Sequence, residues 1–403
     1  MKKPEGANKG TAVAEEPVSR ERLLAAGKAG LDYLVRSQMM DEYSADYGRL
    51  PFDYDLVAGK TMGWTMNWGT GIAVEALLCG YRAFNEQVYL DTAERAVSFM
   101  KSLQVLDAAD PVGFGTFREY TPQWNLSHPR DALTAAAAML TWVEVTGDED
   151  AARRVKLFAD WFCREAMQDG YPRWSVSLDP DVPSMPEWYG SFHSGSALFF
   201  ARLLQDQPCA EYHKVMCDIL DRYNRHHLGP DGRVTVIRDR KTNDPLDGHA
   251  DEKHSNREWE VMHVYNDDFG ALANLAAWKL TGNDSYRNAA RRFLTFMAAE
   301  QRADGGFGPK DHSVHSAGGT VLLEMLAART LGLDYVSRET IRQAARYLLN
   351  IQVVADSFAN GGFIGYQSDY SLTGSTVSMR STAYAITAFL HEHTSAHLNI
   401  FSK

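Results

Sequence analysis

Two adjacent acids, Asp267 and Asp268, are the residues of this 403-residue chain whose type and spacing most directly predict chemistry. They follow the polar, aromatic stretch 262–266 and precede an Ala- and Leu-rich segment that ends at 281–284. Two neighbouring carboxyl groups push one pKa up and leave the other group ionised, the usual division between a general acid and a base. A structural role is the alternative, because Asn266 or Asp267 can cap the helix that follows.

Further polar and aromatic residues occupy matching positions, at the starts of five other small-residue segments. Asp131 is a second candidate acid and His263 a candidate base. Sugar hydroxyls need many hydrogen bonds, pyranose faces lie on aromatic rings, and arginine can hold a uronate carboxylate. Each residue also has a structural alternative as a hydrogen-bonded histidine or a packed aromatic. The candidates for substrate contact are Trp64, Trp68, His128, Arg130, Tyr189, His193, Tyr265, His315 and Arg380.

Metal and cofactor signals are weak. His312 and His315 have the spacing of a metal pair, but no third ligand is evident in the sequence. The four cysteines form no CxxC pair, so we expect neither a zinc site nor a disulfide framework. The sequence contains no GxSxG, phosphate-binding loop or dinucleotide fingerprint. We therefore expect no metal and no cofactor.

Composition narrows the class of protein. The chain is 45% hydrophobic and 23% charged, as globular proteins are, and its net charge of -11 argues against a nucleic-acid partner. No apolar run is long enough to span a bilayer. Residues 1–18 are predicted to form a flexible polar tail, and residues 19–403 a single domain. The tail has no apolar core of the kind that a secretory signal contains, which favours a cytoplasmic location. The oligomeric state stays open.

Helical periodicity organises the chain into alternating segments. Charged, amphipathic segments with one wet face alternate with small-residue segments that are apolar nearly all round. Six such pairs predict an all-α ring of helical hairpins, with the apolar helices inside. The first pair is a segment from residue 21 to near 38 and an Ala- and Leu-rich segment that follows Trp68 and Gly69. The later charged segments lie near 88–104, 148–167, 210–226, 285–299 and 337–351, and the later apolar segments near 131–145, 194–204, 268–280, 318–329 and 381–390.

The connections differ in length. Links from an apolar helix to a charged one are short, whereas links in the other direction are long, up to residues 228–267. Functional residues usually gather on the face with long loops, and here that face also holds the amino ends of all six inner helices. Their free N–H groups and dipoles favour negative charge there.

At this point the chain resembles the (α/α)6 toroid superfamily, the six-hairpin fold of many carbohydrate-active enzymes. The resemblance rests on the six-fold alternation and on two similar tags, LTGND at 280–284 and VTGD at 145–148. The Asp267–Asp268 pair resembles the adjacent acids of the α-1,6-mannanase family, which implies a catalytic role for both. The stretch 301–308 resembles the QxxDGxF repeat of class II terpene cyclases.

These observations predict an enzyme that cleaves a glycosidic bond. One acid of the pair would protonate the leaving oxygen, and its neighbour or Asp131 would activate water or attack carbon. One alternative is a uronate lyase or epimerase with His193, His263 or Tyr265 as base and Arg130 or Arg380 as cation. Others are a monodomain class II terpene cyclase with an aspartate acid and a non-enzymatic binding barrel. The charged run 238–253 is expected to form a solvated flap or a lid.

Overall fold

The computed structural model describes residues 18–64, 67–179, 181–182, 188–246, 262–310, 312–365 and 375–393. Within these ranges the chain forms twelve α-helices of eleven residues or more. They are α1 (Arg20–Ser37), α2 (Asn67–Phe84), α3 (Gln87–Leu103), α4 (Pro129–Thr146), α5 (Glu149–Trp161), α6 (Ser196–Asp206), α7 (Ala210–Arg222), α8 (Gly270–Thr281), α9 (Asp284–Ala299), α10 (Gly318–Thr330), α11 (Arg338–Asn350) and α12 (Met379–Phe389).

The even-numbered helices form a closed inner ring. Each contacts the next even-numbered helix, and α12 contacts α2. The odd-numbered helices pack outside, each against the inner helix that precedes it, and α1 packs on α12 to complete the sixth hairpin. The predicted ring of six hairpins, with the small-residue helices inside, is therefore confirmed.

Burial explains why the two kinds of helix occupy different layers. Helix α2 is buried at every residue from Asn67 to Gly80, whereas α11 buries five residues on one face. Glycine lets the inner helices approach closely: a Cβ at Gly71 would lie 2.9 Å from the carbonyl oxygen of Thr134 in α4. The small residues read from the sequence therefore set the spacing of the ring.

In two of the short links, a left-handed glycine follows one helix and a capping side chain precedes the next. Gly147 and Gly282 adopt the left-handed conformation after α4 and α8. Asp148 and Asn283 then accept hydrogen bonds from the first turns of α5 and α9. The two similar tags thus mark equivalent turns of the ring.

The long links carry short antiparallel strands that the all-α prediction did not include. The strands are β1 (Pro51–Asp55), β2 (Lys60–Trp64), β3 (Leu126–Ser127), β4 (Met167–Gln168), β5 (Tyr171–Pro172), β6 (Val176–Ser177), β7 (Trp188–Gly190), β8 (Ile237–Asp239) and β9 (Thr376–Ser378). They pair in the order β2-β1-β9 and as β3-β6, β4-β5 and β7-β8. Strands β7 and β9 lead towards α6 and into α12, so the sheets brace the loops at the amino ends of inner helices.

Several predictions fall outside the part of the chain that the structure describes. Residues 1–17 of the predicted tail and residues 247–253 of the predicted flap are among them. None of the helices in the described ranges is both long enough and apolar enough to cross a membrane.

Candidate active site

Asp268 stands at the centre of a charged cluster at the amino ends of the inner helices. Its Oδ1 accepts hydrogen bonds from Arg380 at 2.6 Å and from Arg130 at 2.8 Å, and its Oδ2 lies 3.3 Å from Nδ1 of His263. Burial by itself would raise the pKa of Asp268, but the charges of Arg130 and Arg380 outweigh it and hold that pKa well below its usual range. Asp268 is therefore an ionised carboxylate.

The backbone at Asp268 is held in an uncommon conformation. Asp268 has a φ of 50° and Phe269 a φ of 69°, so α8 begins only at Gly270. The apolar helix predicted near 268–280 therefore starts two residues later than expected, because two left-handed residues separate Asp267 from its first turn. A Cβ at Gly195 would lie 1.8 Å from the carbonyl oxygen of Asp268, so that glycine makes room for the turn. Such strain is retained where the surroundings fix it and is common at functional sites.

Asp267 has a different environment from its neighbour. Its Oδ2 accepts a 2.8 Å hydrogen bond from the amide of Ala271, so Asp267 caps α8 as the structural alternative proposed. Burial raises the pKa of Asp267 to about 7, although hydrogen bonds from Glu324 and from the Ala271 amide oppose the shift. Burial and the charge of Asp267 also raise the pKa of Glu324 well above its usual range. This pair holds a proton near neutral pH.

Arg130 joins Asp268 to the second candidate acid. One terminal nitrogen donates to Asp131 at 2.8 Å and the other to Asp268 at 2.8 Å. Asp131 lies in the first turn of α4 and is 8% exposed. A single guanidinium therefore fixes two carboxylates from different hairpins relative to each other.

Glu119 is a further acid of this cluster that sequence reasoning missed. Burial, and then the neighbouring charge of Asp131, raise the pKa of Glu119 well above its usual range. It comes from the long link before α4, where no motif marks it, and the amide of Asn67 at the start of α2 donates to its carbonyl oxygen at 3.0 Å. Its burial beside a second acid is a tertiary property that no local spacing encodes.

Trp68 supports the arginines. The guanidinium carbons of Arg130 and Arg380 lie 5.0 Å and 5.6 Å from the centre of its ring, a distance typical of cation–π contact. Trp68 is buried, so this ring holds the cations in place and is not an exposed sugar platform. Trp64 pairs with Pro51 in the β1–β2 hairpin, and its side chain lies outside the described part of the chain.

His193 is buried beside this cluster without a hydrogen-bond partner in the described residues at either ring nitrogen. Its ring packs against Phe192, with the ring centres 4.9 Å apart. Burial and then the charge of Arg130 lower the pKa of His193 well below its usual value. Burial likewise lowers the pKa of His263. Both imidazoles are therefore neutral near neutral pH.

Four of the predicted substrate contacts already have protein partners. His128 packs on Trp174 at 5.2 Å between ring centres, and His315 is hydrogen-bonded to the hydroxyl of Tyr347. Tyr265 donates to Glu300, the residue that follows the outer helix α9, at 3.3 Å. Tyr189 is covered by arginine side chains. The structure thus gathers Asp131, Asp268, Arg130, Arg380, Trp68, His193 and His263 into one site and gives these four other contacts.

A cavity of about 70 Å³ lies inside the ring below the charged cluster. It extends from Asp268 towards Glu75 and Arg202, and much of its wall is apolar, including Phe192 and Phe199. This volume is smaller than the roughly 300–1,000 Å³ of usual small-molecule pockets.

No known family model matches the chain, and no curated protein matches its sequence. Solved structures do match over nearly the whole length. An unsaturated glucuronyl hydrolase from Streptococcus agalactiae covers 95% of both chains with a TM-score of 0.68 and 12% identity. The unsaturated glucuronyl hydrolase from Bacillus sp. GL1, which degrades glycosaminoglycan, covers 93% of this chain and 97% of its own with a TM-score of 0.67 and 16% identity.

The chain has the (α/α)6 toroid fold. A third match is an α-1,6-mannanase from Salegentibacter sp. HEL1_6, which covers 92% of this chain and 99% of its own with a TM-score of 0.63 and 12% identity. That protein is an inactive variant, in which two consecutive aspartates are replaced by asparagine, in complex with α-1,6-mannotriose. Identities this low establish a shared architecture, and the toroid does not by itself define a reaction.

Proposed function

We propose that this protein is an enzyme that cleaves a glycosidic bond of an oligosaccharide at the amino ends of its inner helices. The observation that carries the proposal is the bridge through Arg130, which fixes Asp131 and Asp268 side by side where helix amino ends gather. Hydrolysis of a glycosidic bond needs two carboxyl groups held across the scissile bond. The three structural neighbours that act on or bind glycans support the same class of substrate.

In the proposed reaction, Asp268 is the carboxylate that is ionised. The charges of Arg130 and Arg380 outweigh the effect of burial and hold the pKa of Asp268 well below its usual range. Such a group can activate water, attack the sugar carbon or stabilise positive charge at that carbon. Its left-handed backbone aims it between the two arginines and does not allow it to cap the helix.

The proton comes from the Glu119–Asp131 pair. Burial and the neighbouring charge of Asp131 raise the pKa of Glu119, which favours Glu119 as the member of the pair that holds the proton. Asp131 is the more exposed member and delivers that proton to the leaving oxygen. Asp267 keeps a structural role as the cap of α8, and His263 orients Asp268.

A uronate lyase is a second candidate function, and His193 is the observation that favours it. A neutral imidazole with both nitrogens unpartnered in the described residues can take a proton from the carbon beside a carboxylate. Elimination would leave an unsaturated product that absorbs ultraviolet light, whereas hydrolysis would not.

A screen of neutral and uronate-containing oligosaccharides, read both by new reducing ends and by ultraviolet absorbance, tests the proposal. New reducing ends without absorbance are expected for hydrolysis. Reducing ends that appear together with absorbance would assign the lyase reaction, and no product from any glycan would refute both functions.

A further inference from the structure

Arginine side chains surround Tyr189 beside the proposed active site. The guanidinium carbons of Arg222 and Arg240 lie 3.7 Å and 4.5 Å from the centre of its ring. Arg173 lies two residues after Tyr171, whose ring centre is 5.7 Å from that of Tyr189, and its charge lowers the pKa of Arg240, after the larger effect of burial. We call Arg173, Arg222 and Arg240 the arginine cluster. Arg173 follows strand β5, Arg222 is the last residue of α7 and Arg240 follows strand β8.

The cluster lacks matching negative charge among the described residues. None of its three guanidiniums forms an ion pair of 4.0 Å or less with a described carboxylate. The Nε atoms of all three are buried and have no hydrogen-bond partner in the described part of the chain. Asp169, in the exposed β4–β5 turn, acts on Arg240 only at longer range. Partly buried cations without a compensating negative charge are costly, so this arrangement favours an anion from outside.

Two further contacts show how the cluster is held in place. Arg240 donates to the carbonyl oxygen of Gln168 at 3.0 Å, and strand β7, which carries Tyr189, pairs with β8. Arg173 and Arg240 therefore follow short, paired strands, and Arg222 is the last residue of a helix. Because the Nε atoms are buried, the terminal nitrogens are the groups that an outside anion would reach, and a planar guanidinium can bind carboxylates and sulfates through two N–H groups.

His193 links the cluster to the proposed active site. The ring of Tyr171 packs against both His193 and Tyr189, with ring centres 5.9 Å and 5.7 Å apart, and the ring of Phe192 packs against both His193 and His263, at 4.9 Å and 5.1 Å. Packed rings therefore connect the arginine cluster to the carboxylates that would cleave the bond. An oligosaccharide long enough to cover both must carry its negative group on a sugar near the scissile bond.

We propose that Arg173, Arg222 and Arg240 form a subsite for an oxyanion of the substrate, so that the enzyme acts on an acidic glycan bearing carboxylate or sulfate groups. The substrate named in this inference rests on the proposed function, whereas the predicted binding of an oxyanion to the three arginines does not. The cations that the sequence singled out for a carboxylate, Arg130 and Arg380, are already neutralised by Asp131 and Asp268. The subsite is therefore elsewhere.

Binding measured by calorimetry on the full-length protein tests the subsite without requiring turnover. The first probe is a glucuronate-containing tetrasaccharide, and the second is the same tetrasaccharide with its carboxyl groups reduced to alcohols. The third is a tetrasaccharide of uncharged sugars that carries sulfate esters. We compare the wild type with Arg240→Gln, Arg222→Gln and, as matched control, Arg225→Gln, an exposed arginine one turn beyond Arg222. Tight binding of either acidic probe, weakened at least about tenfold by Arg240→Gln and Arg222→Gln but not by Arg225→Gln, is expected.

The result also identifies the oxyanion. Preference for the glucuronate probe assigns a carboxylate, and preference for the sulfated probe assigns a sulfate. Equal affinity for the reduced probe, or equal losses in Arg225→Gln, would overturn the subsite. A melting temperature of ligand-free Arg240→Gln at or above the wild-type value is expected, because a repelled charge is removed, and a large drop would instead assign the cluster a purely structural role. Cleavage of neutral glycans alone would refute the subsite but leave the proposed function standing.

Discussion

Asp267 and Asp268 are adjacent in the chain, yet their carboxyl groups have opposite electrostatic environments. Asp268 accepts hydrogen bonds from Arg130 and Arg380 and is held ionised, whereas Asp267 caps α8 beside Glu324 and its pKa is raised to about 7. The left-handed backbone at Asp268 and Phe269 separates the two side chains. Asp268 therefore supplies a charged carboxylate to the candidate site, whereas Asp267 is a protonatable group that stabilises the start of α8.

Asp268→Asn is expected to lower the free energy of unfolding by about 3–5 kcal/mol, because it removes the partner of a buried ion pair. Arg380, which is 1% exposed, would then keep its charge without compensation. Asp267→Asn is the matched control. Its amide oxygen can still accept the Ala271 hydrogen bond, so a loss below about 2 kcal/mol is expected. Urea unfolding of both variants measures the difference, and equal losses would contradict the assignment.

The raised pKa of Asp267 predicts a pH dependence of stability. The folded state keeps a proton that the unfolded chain releases near pH 3.8, so stability is fully present below that pH and is lost as pH rises towards about 7. The wild-type free energy of unfolding should therefore fall between about pH 4 and about pH 7. Asp267→Asn should flatten this fall, measured by urea unfolding at several pH values. A parallel slope in the variant would exclude Asp267 as its source.

The ring could be predicted from the sequence because its determinants are local. Helical periodicity, small residues on the inner helices and the glycine and capping tags at 145–148 and 280–284 are each read within one hairpin. The site is only partly local. Arg130, Asp131 and Arg380 were found because each begins an inner helix, whereas Glu119 depends on a partner brought close by the fold. The contacts of Tyr265 and His315 with neighbouring outer helices are equally invisible in the sequence.

Arg130→Lys is expected to lower the turnover rate at least about tenfold while the protein remains folded. One ammonium group is a compact charge and cannot reproduce the two-sided contact of a guanidinium with Asp131 and Asp268. Arg154→Lys is a suitable control, because Arg154 pairs with Asp150 at 2.9 Å on an outer helix. Steady-state kinetics and circular dichroism give the two readouts. An unchanged rate in Arg130→Lys would show that the bridge plays no part in the reaction.

Glu119→Gln tests the source of the proton. Glutamine has the shape of the protonated acid, so stability should change by no more than about 1 kcal/mol. The turnover rate should fall about 100-fold, since general acid catalysis contributes at least that much. The alkaline decline of the wild-type rate, where Glu119 ionises, should also disappear from the pH profile of the variant. A wild-type rate with an unchanged profile would remove Glu119 from the mechanism.

The most direct test of bond cleavage at the bridged carboxylates is the rate at which Asp131→Asn releases reducing ends from an oligosaccharide that the wild type cleaves. Asp334→Asn, whose side chain is 85% exposed in a short link, controls for the loss of one charge. We predict that Asp131→Asn is at least about 100-fold slower while Asp334→Asn keeps the wild-type rate. Cleavage by Asp131→Asn at the wild-type rate would contradict the account.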